Sequence, residues 1–72
     1  MRRLTELQVG EQARVATLPL EGAASDLGVL QGSVVLLLRR IGRGALHVRV
    51  DESLECGLSV DLAHEILLED RR

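Results

Sequence analysis

The sequence predicts a small, mainly β barrel of five short strands, with one short α-helix and a one-turn helix before the last strand. Two observations carry this prediction. Short apolar runs with alternating polar residues recur between glycine-rich or polar turns, a pattern typical of short strands. Gly28 and Gly32 bracket a tight apolar turn directly before the β-type run at residues 34–38. With 72 residues, the chain (residues 1–72) is expected to form one domain with a modest core.

The first part of the chain is expected to contain one strand and the short helix. The strand is predicted at residues 12–18, and Pro19 ends it because proline cannot donate a ladder hydrogen bond. Residues 21–27 form the predicted helix of about two turns, which Gly28 ends. Gly28 and Gly32 are the structural turn residues, since glycine reaches positive φ without steric cost.

The centre of the chain is predicted to be a β-hairpin. Strands at residues 33–41 and 44–50 flank Gly42-Arg43, which suits a two-residue turn. The chosen register sets apolar side chains against each other, whereas a shift by one residue would set core positions against charges. The predicted pairs are Val35 with Val50, Leu37 with Val48, Arg39 with Leu46, Leu36 with Arg49, and Leu38 with His47.

The last part of the chain is expected to close the barrel. A fourth strand at residues 54–58 presents alternate apolar side chains to the core. Ser59 is a predicted N-cap for one helical turn at residues 60–64, because its hydroxyl can accept from an exposed backbone N–H. A fifth strand at residues 65–69 then completes the sheet. The side chains expected inside this part are Leu54, Cys56, Leu58, Ile66 and Leu68.

Composition excludes several classes of function. The chain has no Phe, Tyr or Trp, all nine basic residues are arginine, and the net charge is −2. Nucleic acid is not an expected partner, because single strands are usually stacked on aromatic rings and a phosphate backbone attracts a basic surface. Cys56 is the only cysteine, so no intramolecular disulfide can form. No apolar run reaches the roughly 18 residues of a membrane helix, and no signal peptide follows Met1, so a cytoplasmic protein without membrane insertion is expected.

No pattern of residues predicts catalysis or a strong metal site. Residues 28–32 lack the Lys and Ser/Thr of a phosphate-binding loop, and the acidic residues in turns form no acid/base pair, so neither enzyme activity nor a cofactor is expected. His47 is expected to point outward and Cys56 inward, so the two cannot share an ion. His47, joined by Asp51 or Glu52, stays a weak candidate for transition-metal binding.

An aliphatic row is expected on the outer face of the second strand. If Val35 and Leu37 face the core, then Val34, Leu36 and Leu38 lie on the opposite face of the strand. An exposed aliphatic row is typical of an interaction surface, so these three residues and Leu30 are the candidate partner-binding residues. The alternative is that the barrel curls enough for the helix or the N-terminal leucines to cover the row.

In their order and spacing these motifs resemble the FeoA family, small SH3-like barrels of the bacterial ferrous-iron uptake system. The resemblance runs from about Leu4 to Glu69. Residues 4–7 and 9–11 resemble the family's opening leader and turn. Residues 26–32 resemble its helix-end signature, in which a Leu-Gly pair precedes a Pro-Gly turn. The residues that resemble its closing strands are Val48, Arg49, Val50, Leu58, Ala63 and Ile66.

The sequence also departs from the family's pattern. Gln31 stands where proline is usual, which loosens the turn without forbidding it. Residues 23–26, Ala-Ala-Ser-Asp, replace a run that usually carries basic residues, and Ser59 stands where a basic residue is common. These departures weaken the expectation of a contact with an acidic or phosphate-bearing partner through those positions.

The resemblance implies an accessory role rather than catalysis. The implied partner is the cytoplasmic side of FeoB, a membrane permease with a GTP-binding domain, and the chain could also form a homo-oligomer. A second hypothesis is a regulatory module of the kind fused to metal-dependent repressors, here detached and self-associating, with metal response through His47 and nearby carboxylates. A third, a nucleic-acid-binding barrel, is disfavoured by the missing aromatic residues and the acidic balance.

Overall fold

The computed structural model describes residues 2–19 and 27–69. Of the short helix predicted at residues 21–27, only Leu27 belongs to this part, so the rest of that prediction lies outside the described residues. The C-terminal residues 70–72 lie outside them as well.

The described residues form a mainly β fold, which confirms the predicted class. All five predicted strands are present, and a further two-residue strand at the N-terminus was not predicted. None of the described helices is long and apolar enough to cross a membrane. The elements are β1 (Arg2–Arg3), a 3-10 helix (Leu4–Glu6), β2 (Gln12–Thr17), β3 (Val34–Ile41), β4 (Ala45–Val50), β5 (Leu54–Ser59), α1 (Val60–Glu65) and β6 (Leu67–Leu68).

The strands form one antiparallel sheet in the order β1-β6-β2-β3-β4-β5, and β2 makes it curl. The first half of β2 pairs with β3, with Ala13 opposite Val35. Its second half pairs with β6, with Val15 opposite Leu68, and a bulge follows before Thr17. A strand that changes partners at a bulge bends sharply. This bend turns the sheet toward the half-closed barrel that the sequence predicts.

The interior of the described part is aliphatic. Its side chains come from every strand except β1, as well as from the 3-10 helix and α1. Burying one Leu, Ile or Val side chain stabilises a fold by roughly 1.5–3 kcal/mol, so packing is the main stabilising interaction. The buried apolar residues are Leu4, Leu7, Val15, Val29, Val35, Leu37, Leu46, Val48, Val50, Leu58, Ala63, Ile66 and Leu68.

The one-turn helix before the last strand has the predicted cap. The Ser59 hydroxyl accepts a hydrogen bond of 3.1 Å from the backbone N–H of Leu62. The helix runs one residue further than predicted, to Glu65, and β6 is correspondingly shorter than the predicted strand at residues 65–69.

The predicted register of the β3–β4 hairpin is confirmed beside the core and wrong near the turn. Val35 lies opposite Val50, Leu36 opposite Arg49, and Leu37 opposite Val48, as predicted. Leu38 then forms a β-bulge, so it has no partner, and the predicted pairing of Leu38 with His47 is wrong.

Beyond the bulge every pair is displaced by one residue. Arg39 lies opposite His47 and Arg40 opposite Leu46, so the predicted pairing of Arg39 with Leu46 is also wrong. The connection consists of three residues, 42–44, rather than Gly42-Arg43 alone, because Ile41 pairs with Ala45.

The bulge brings Arg40 to the core side of the sheet, where it binds the N-terminal segment. Its Nη2 donates to the backbone carbonyls of Thr5, at 2.9 Å, and Leu7, at 2.7 Å. Charged donors make the stronger hydrogen bonds in proteins. Without the bulge, Arg39 would take the position opposite Leu46.

Replacing Arg40 by leucine is expected to lower the free energy of unfolding by about 1–2 kcal/mol, because two carbonyls lose a charged donor. Urea unfolding followed by far-ultraviolet circular dichroism measures the change. Arg43→Leu is the matched control, since the Arg43 side chain makes no hydrogen bond or ion pair with residues 2–19 or 27–69. Equal losses in the two variants would contradict this assignment.

Candidate functional site

The segment between Gly28 and β3 contains a tight β-turn. The Ser33 N–H donates to the Leu30 carbonyl at 2.9 Å, which closes a four-residue turn. Gly32, the third residue of this turn, has a φ of +88°, whereas Gln31 has a negative φ. This combination defines a type II turn, which favours glycine at its third position and proline at its second. The structural role predicted for Gly32 therefore has a geometric cause.

The turn is fixed to the barrel by both backbone and side-chain hydrogen bonds. Gly32 N–H donates to the Val15 carbonyl at 2.9 Å, and Val15 N–H donates to the Ser33 carbonyl at 2.8 Å. Arg14 Nη1 donates to the Gly32 carbonyl at 2.9 Å. Ser33 is buried, and its hydroxyl accepts from Leu30 N–H at 3.0 Å. These contacts hold the turn rigidly against β2.

Gly28 also has a positive φ, of +90°, and it lies against the first residue of β5. A Cβ atom placed on Gly28 would lie 2.5 Å from Leu54 Cδ2, closer than side chains approach each other. Glycine is therefore favoured here by the backbone conformation, and the end of the exposed Leu54 side chain would have to shift to admit a larger residue.

Three leucines around Gly28 remain exposed on this rigid framework. The exposed fractions are 38% for Leu27, 55% for Leu30 and 46% for Leu54. We call this set the apolar corner. Apolar side chains that stay exposed together on a fixed framework are typical of a contact surface.

Leu30 was identified from the sequence, whereas Leu54 was assigned to the core. That assignment is wrong for Leu54, because it stands at the start of an outer strand and packs over Gly28 instead. Leu58 is buried as predicted, and Cys56 is half-buried against the core. The signal that could have indicated exposure is the polar turn directly before Leu54.

The outer row Val34, Leu36 and Leu38 is half-buried. Val34 and Leu36 form the apolar part of a groove of about 220 Å³, whose other lining residues are Gln12, Arg49 and Glu52. Val34 also adjoins the turn, since it follows Ser33 directly. The groove and the apolar corner thus flank the same segment of chain.

His47 lies in a charged cluster on the outer face. Its Nε2 is 3.3 Å from Glu55 Oε1, and Arg49 donates to Glu55 Oε2 at 2.9 Å. The hydrogen bond from Arg49 holds the pKa of Glu55 below its ordinary value, and His47 and Arg39 contribute electrostatically. The contribution of this carboxylate to stability is therefore present above its unfolded pKa and lost as pH falls through its folded pKa.

The other candidate metal ligands point elsewhere. Cys56 lies opposite the buried Val48, on the inner side of the sheet, and burial raises the pKa of its thiol. Asp51 binds β3 instead, because its Oδ1 accepts from Val34 N–H at 3.0 Å. Within residues 2–19 and 27–69, no three His, Cys, Asp or Glu side chains are grouped as metal ligands.

Two solved structures similar to this chain are FeoA proteins. The solution NMR structure of the FeoA protein from Chlorobium tepidum matches with a TM-score of 0.81 and 25% sequence identity, over 93% of this chain and 68% of that one. A crystal structure of an iron uptake regulatory protein (FeoA) matches with a TM-score of 0.79 and 18% identity, over 92% of this chain and 90% of that one. A scan against protein-family models and a search of curated proteins find no match. The resemblance to FeoA proteins predicted from the sequence is confirmed by these neighbours.

Replacing Gly28 by alanine is expected to destabilise the fold more than replacing Gly32. Both positions have nearly the same positive φ, but only Gly28 would place a Cβ against Leu54, whereas Gly32 has nothing within 4 Å. The strain of a left-handed conformation costs about 1–2 kcal/mol at either position. Melting temperatures should therefore fall in both variants and further in Gly28→Ala. The excess should disappear in a Leu54→Ala background; an excess that persists there would contradict the proposed contact.

Replacing Gln31 by proline is expected to raise the free energy of unfolding by about 0.4–1 kcal/mol, because proline pre-sets φ at the second position of a type II turn. Urea unfolding measures the gain. Gln8→Pro serves as the control, since the Gln8 N–H donates to Glu11 Oε1 at 3.0 Å and proline would remove that donor. A loss of stability in Gln31→Pro would contradict the placement of Gln31 at the second position of this turn.

Proposed function

We propose that this chain is a non-enzymatic accessory module of bacterial ferrous-iron uptake, which acts on the cytoplasmic side by contacting a FeoB-like permease with a GTPase domain. The similarity to FeoA proteins supports a role in iron uptake. The apolar corner supports the permease contact, because its three leucines remain exposed to solvent instead of packing into the core.

The geometry of the corner suits docking onto a preformed protein surface. The type II turn and its bonds to β2 hold Leu30 in place, so binding does not require this segment to be ordered first. Burying the exposed parts of three leucines is worth on the order of 3 kcal/mol. This corresponds to roughly a hundredfold in affinity, which suits a reversible accessory contact.

The outer row forms the second part of the proposed contact surface. Val34 and Leu36 offer apolar area beside the charged side chains of Arg49 and Glu52. An apolar centre with a polar rim is the usual composition of a protein–protein interface. Leu38, at the bulge, is the last residue of this row.

The module is proposed to work without a resident cofactor. Two ion pairs help to hold the barrel together: Arg2 binds Glu11 through both carboxylate oxygens, at 2.6 and 2.9 Å, and Arg49 binds Glu55. Weak transition-metal binding through His47 would have to displace Glu55 or recruit it as a ligand.

The decisive experiment measures binding of this chain to the FeoB-like permease of the same organism, reconstituted in nanodiscs, by biolayer interferometry. Leu30→Asp and Leu36→Glu are each expected to weaken binding at least tenfold, because each places a charge in an apolar contact. Ile41→Asp is the control, since Ile41 is also an exposed aliphatic residue, at 46%, but lies at the tip of the β3–β4 hairpin.

Circular dichroism verifies that each variant is folded. If folded Leu30→Asp and Leu36→Glu bind the permease as tightly as the unaltered chain, the proposed surface is wrong. If the unaltered chain shows no affinity for the permease, the proposed function itself is wrong.

A further inference from the structure

The strand β5 is the outermost strand on its side of the sheet. The strand order ends with it, and no strand of the described residues lies beyond it. An edge strand presents a row of backbone N–H and C=O groups that can pair with another chain. What β5 could pair with depends on which of its backbone groups point outward.

The ladder between β4 and β5 determines that direction. Val60 N–H donates to the Gly44 carbonyl at 2.9 Å, and this bond continues the register in which Leu46 lies opposite Leu58. In an antiparallel ladder, residues that bond to a neighbour alternate with residues that point away from it. Leu58, Cys56 and Leu54 therefore bond to β4, and the groups that point outward belong to Glu55, Gly57 and Ser59.

The opposite side of β4 agrees with this assignment. Asp51 N–H donates to the Val34 carbonyl at 2.8 Å, one step beyond the pair of Val35 with Val50. Odd-numbered residues of β4 thus bond to β3 and even-numbered ones to β5. The described residues provide no hydrogen-bond partner for the outward groups of Glu55 and Gly57.

The side chains of β5 itself offer little of the usual protection against pairing. Natural edge strands are commonly protected by lysine, proline or an unpaired charge. The only charged residue of β5 is Glu55, which is already bound to Arg49 and His47 over the face of the sheet. Gly57 has no side chain, and a Cβ placed there would meet nothing closer than 4.0 Å.

The strand is complementary to itself in one antiparallel register. With Glu55 opposite its own copy, two carboxylates would meet, which is unfavourable. With Gly57 opposite its own copy, the start of α1 at Val60 would face Leu54 of the second copy. With Cys56 opposite its own copy, Glu55 faces Gly57, and Leu54 faces the position of the buried Leu58, so no like charges are opposed.

We propose that β5 pairs with β5 of a second copy of this chain, antiparallel about a two-fold axis at Cys56, so that the two sheets become one. The occupant is a second copy because this register satisfies the outward groups of Glu55 and Gly57 in both chains without opposing any like charges. The paired strands are short, so the dimer is weak and depends on protein concentration. The two surfaces share Leu54, the first residue of β5, but the permease contact is centred on Leu30, which lies outside this strand.

Sedimentation equilibrium tests the proposal in the absence of any permease, over concentrations from about 10 µM to 1 mM, the range in which weak association is measurable. The unaltered chain should shift from monomer toward dimer. Gly57→Asp should weaken the dimer at least tenfold, because it places a carboxylate opposite Glu55 of the second copy. Gly57→Lys should keep the dimer, since it places an opposite charge there.

The two Gly57 variants add side chains of opposite charge at the same open position, and neither contacts the core, so both are expected to fold. Equal weakening by aspartate and lysine would overturn the register. A chain that stays monomeric at every concentration would overturn the proposal. A Leu30→Asp chain that dimerises normally while losing the permease would separate the two surfaces.

Disulfide trapping tests the register directly. Residues opposite each other in a non-hydrogen-bonded pair have Cα atoms about 4.5 Å apart, within the range of roughly 4.4–6.8 Å for a disulfide. Diamide, which takes up the two electrons and two protons released by two thiols, should convert the unaltered chain into a covalent dimer that dithiothreitol reverses. Glu55→Cys in a Cys56→Ser chain should give no covalent dimer, and efficient cross-linking there would overturn the register.

Discussion

The pairing of Val15 with the turn at Gly32 and Ser33 is the constraint on which the rest of the structure depends. Val15 N–H and C=O both bond to that turn, while its side chain is buried and its position lies opposite Leu68 of β6. Val15 therefore connects the turn at Gly32 and Ser33, the end of the β2–β3 ladder, and the closing strand β6. Because Gly32 has a positive φ, the turn can bond to both the N–H and the C=O of Val15. The position of Leu30 in that turn is therefore fixed by the closure of the barrel.

Features set by local alternation could be predicted from the sequence, and features set by distant backbone groups could not. The pairing of Val35 with Val50 follows from apolar periodicity alone. The bulge at Leu38 depends on the carbonyls of Thr5 and Leu7, which Arg40 reaches only in the folded chain. A two-residue turn at Gly42-Arg43 agrees with the local sequence. The hydrogen bonds from Arg40 favour the bulged hairpin with a three-residue turn instead.

The candidate site shows the same division. Leu30 was predicted because it lies between two glycines, whereas the exposure of Leu54 depends on its position at a sheet edge, which the sequence pattern does not show. The polar turn after β4 is present as predicted, but the positive φ values of Asp51 and Glu52, +52° and +67°, carry no glycine signal. They are maintained because Asp51 exchanges two hydrogen bonds with Val34, one of them through its own side chain.

An interior of aliphatic side chains also limits the means by which this barrel can recognise a partner. Aromatic stacking is unavailable, and ion pairs already join β1 to Glu11, the residue before β2, and β4 to β5 through Glu55. Displacing those pairs would loosen the strands that hold the surface in shape. Within the described residues, the exposed leucines around Gly28 and the outward N–H and C=O groups of β5 are available for recognition instead. The first can be buried by a partner of different sequence, and the second can pair with any strand of suitable register, so the two surfaces are able to select different partners.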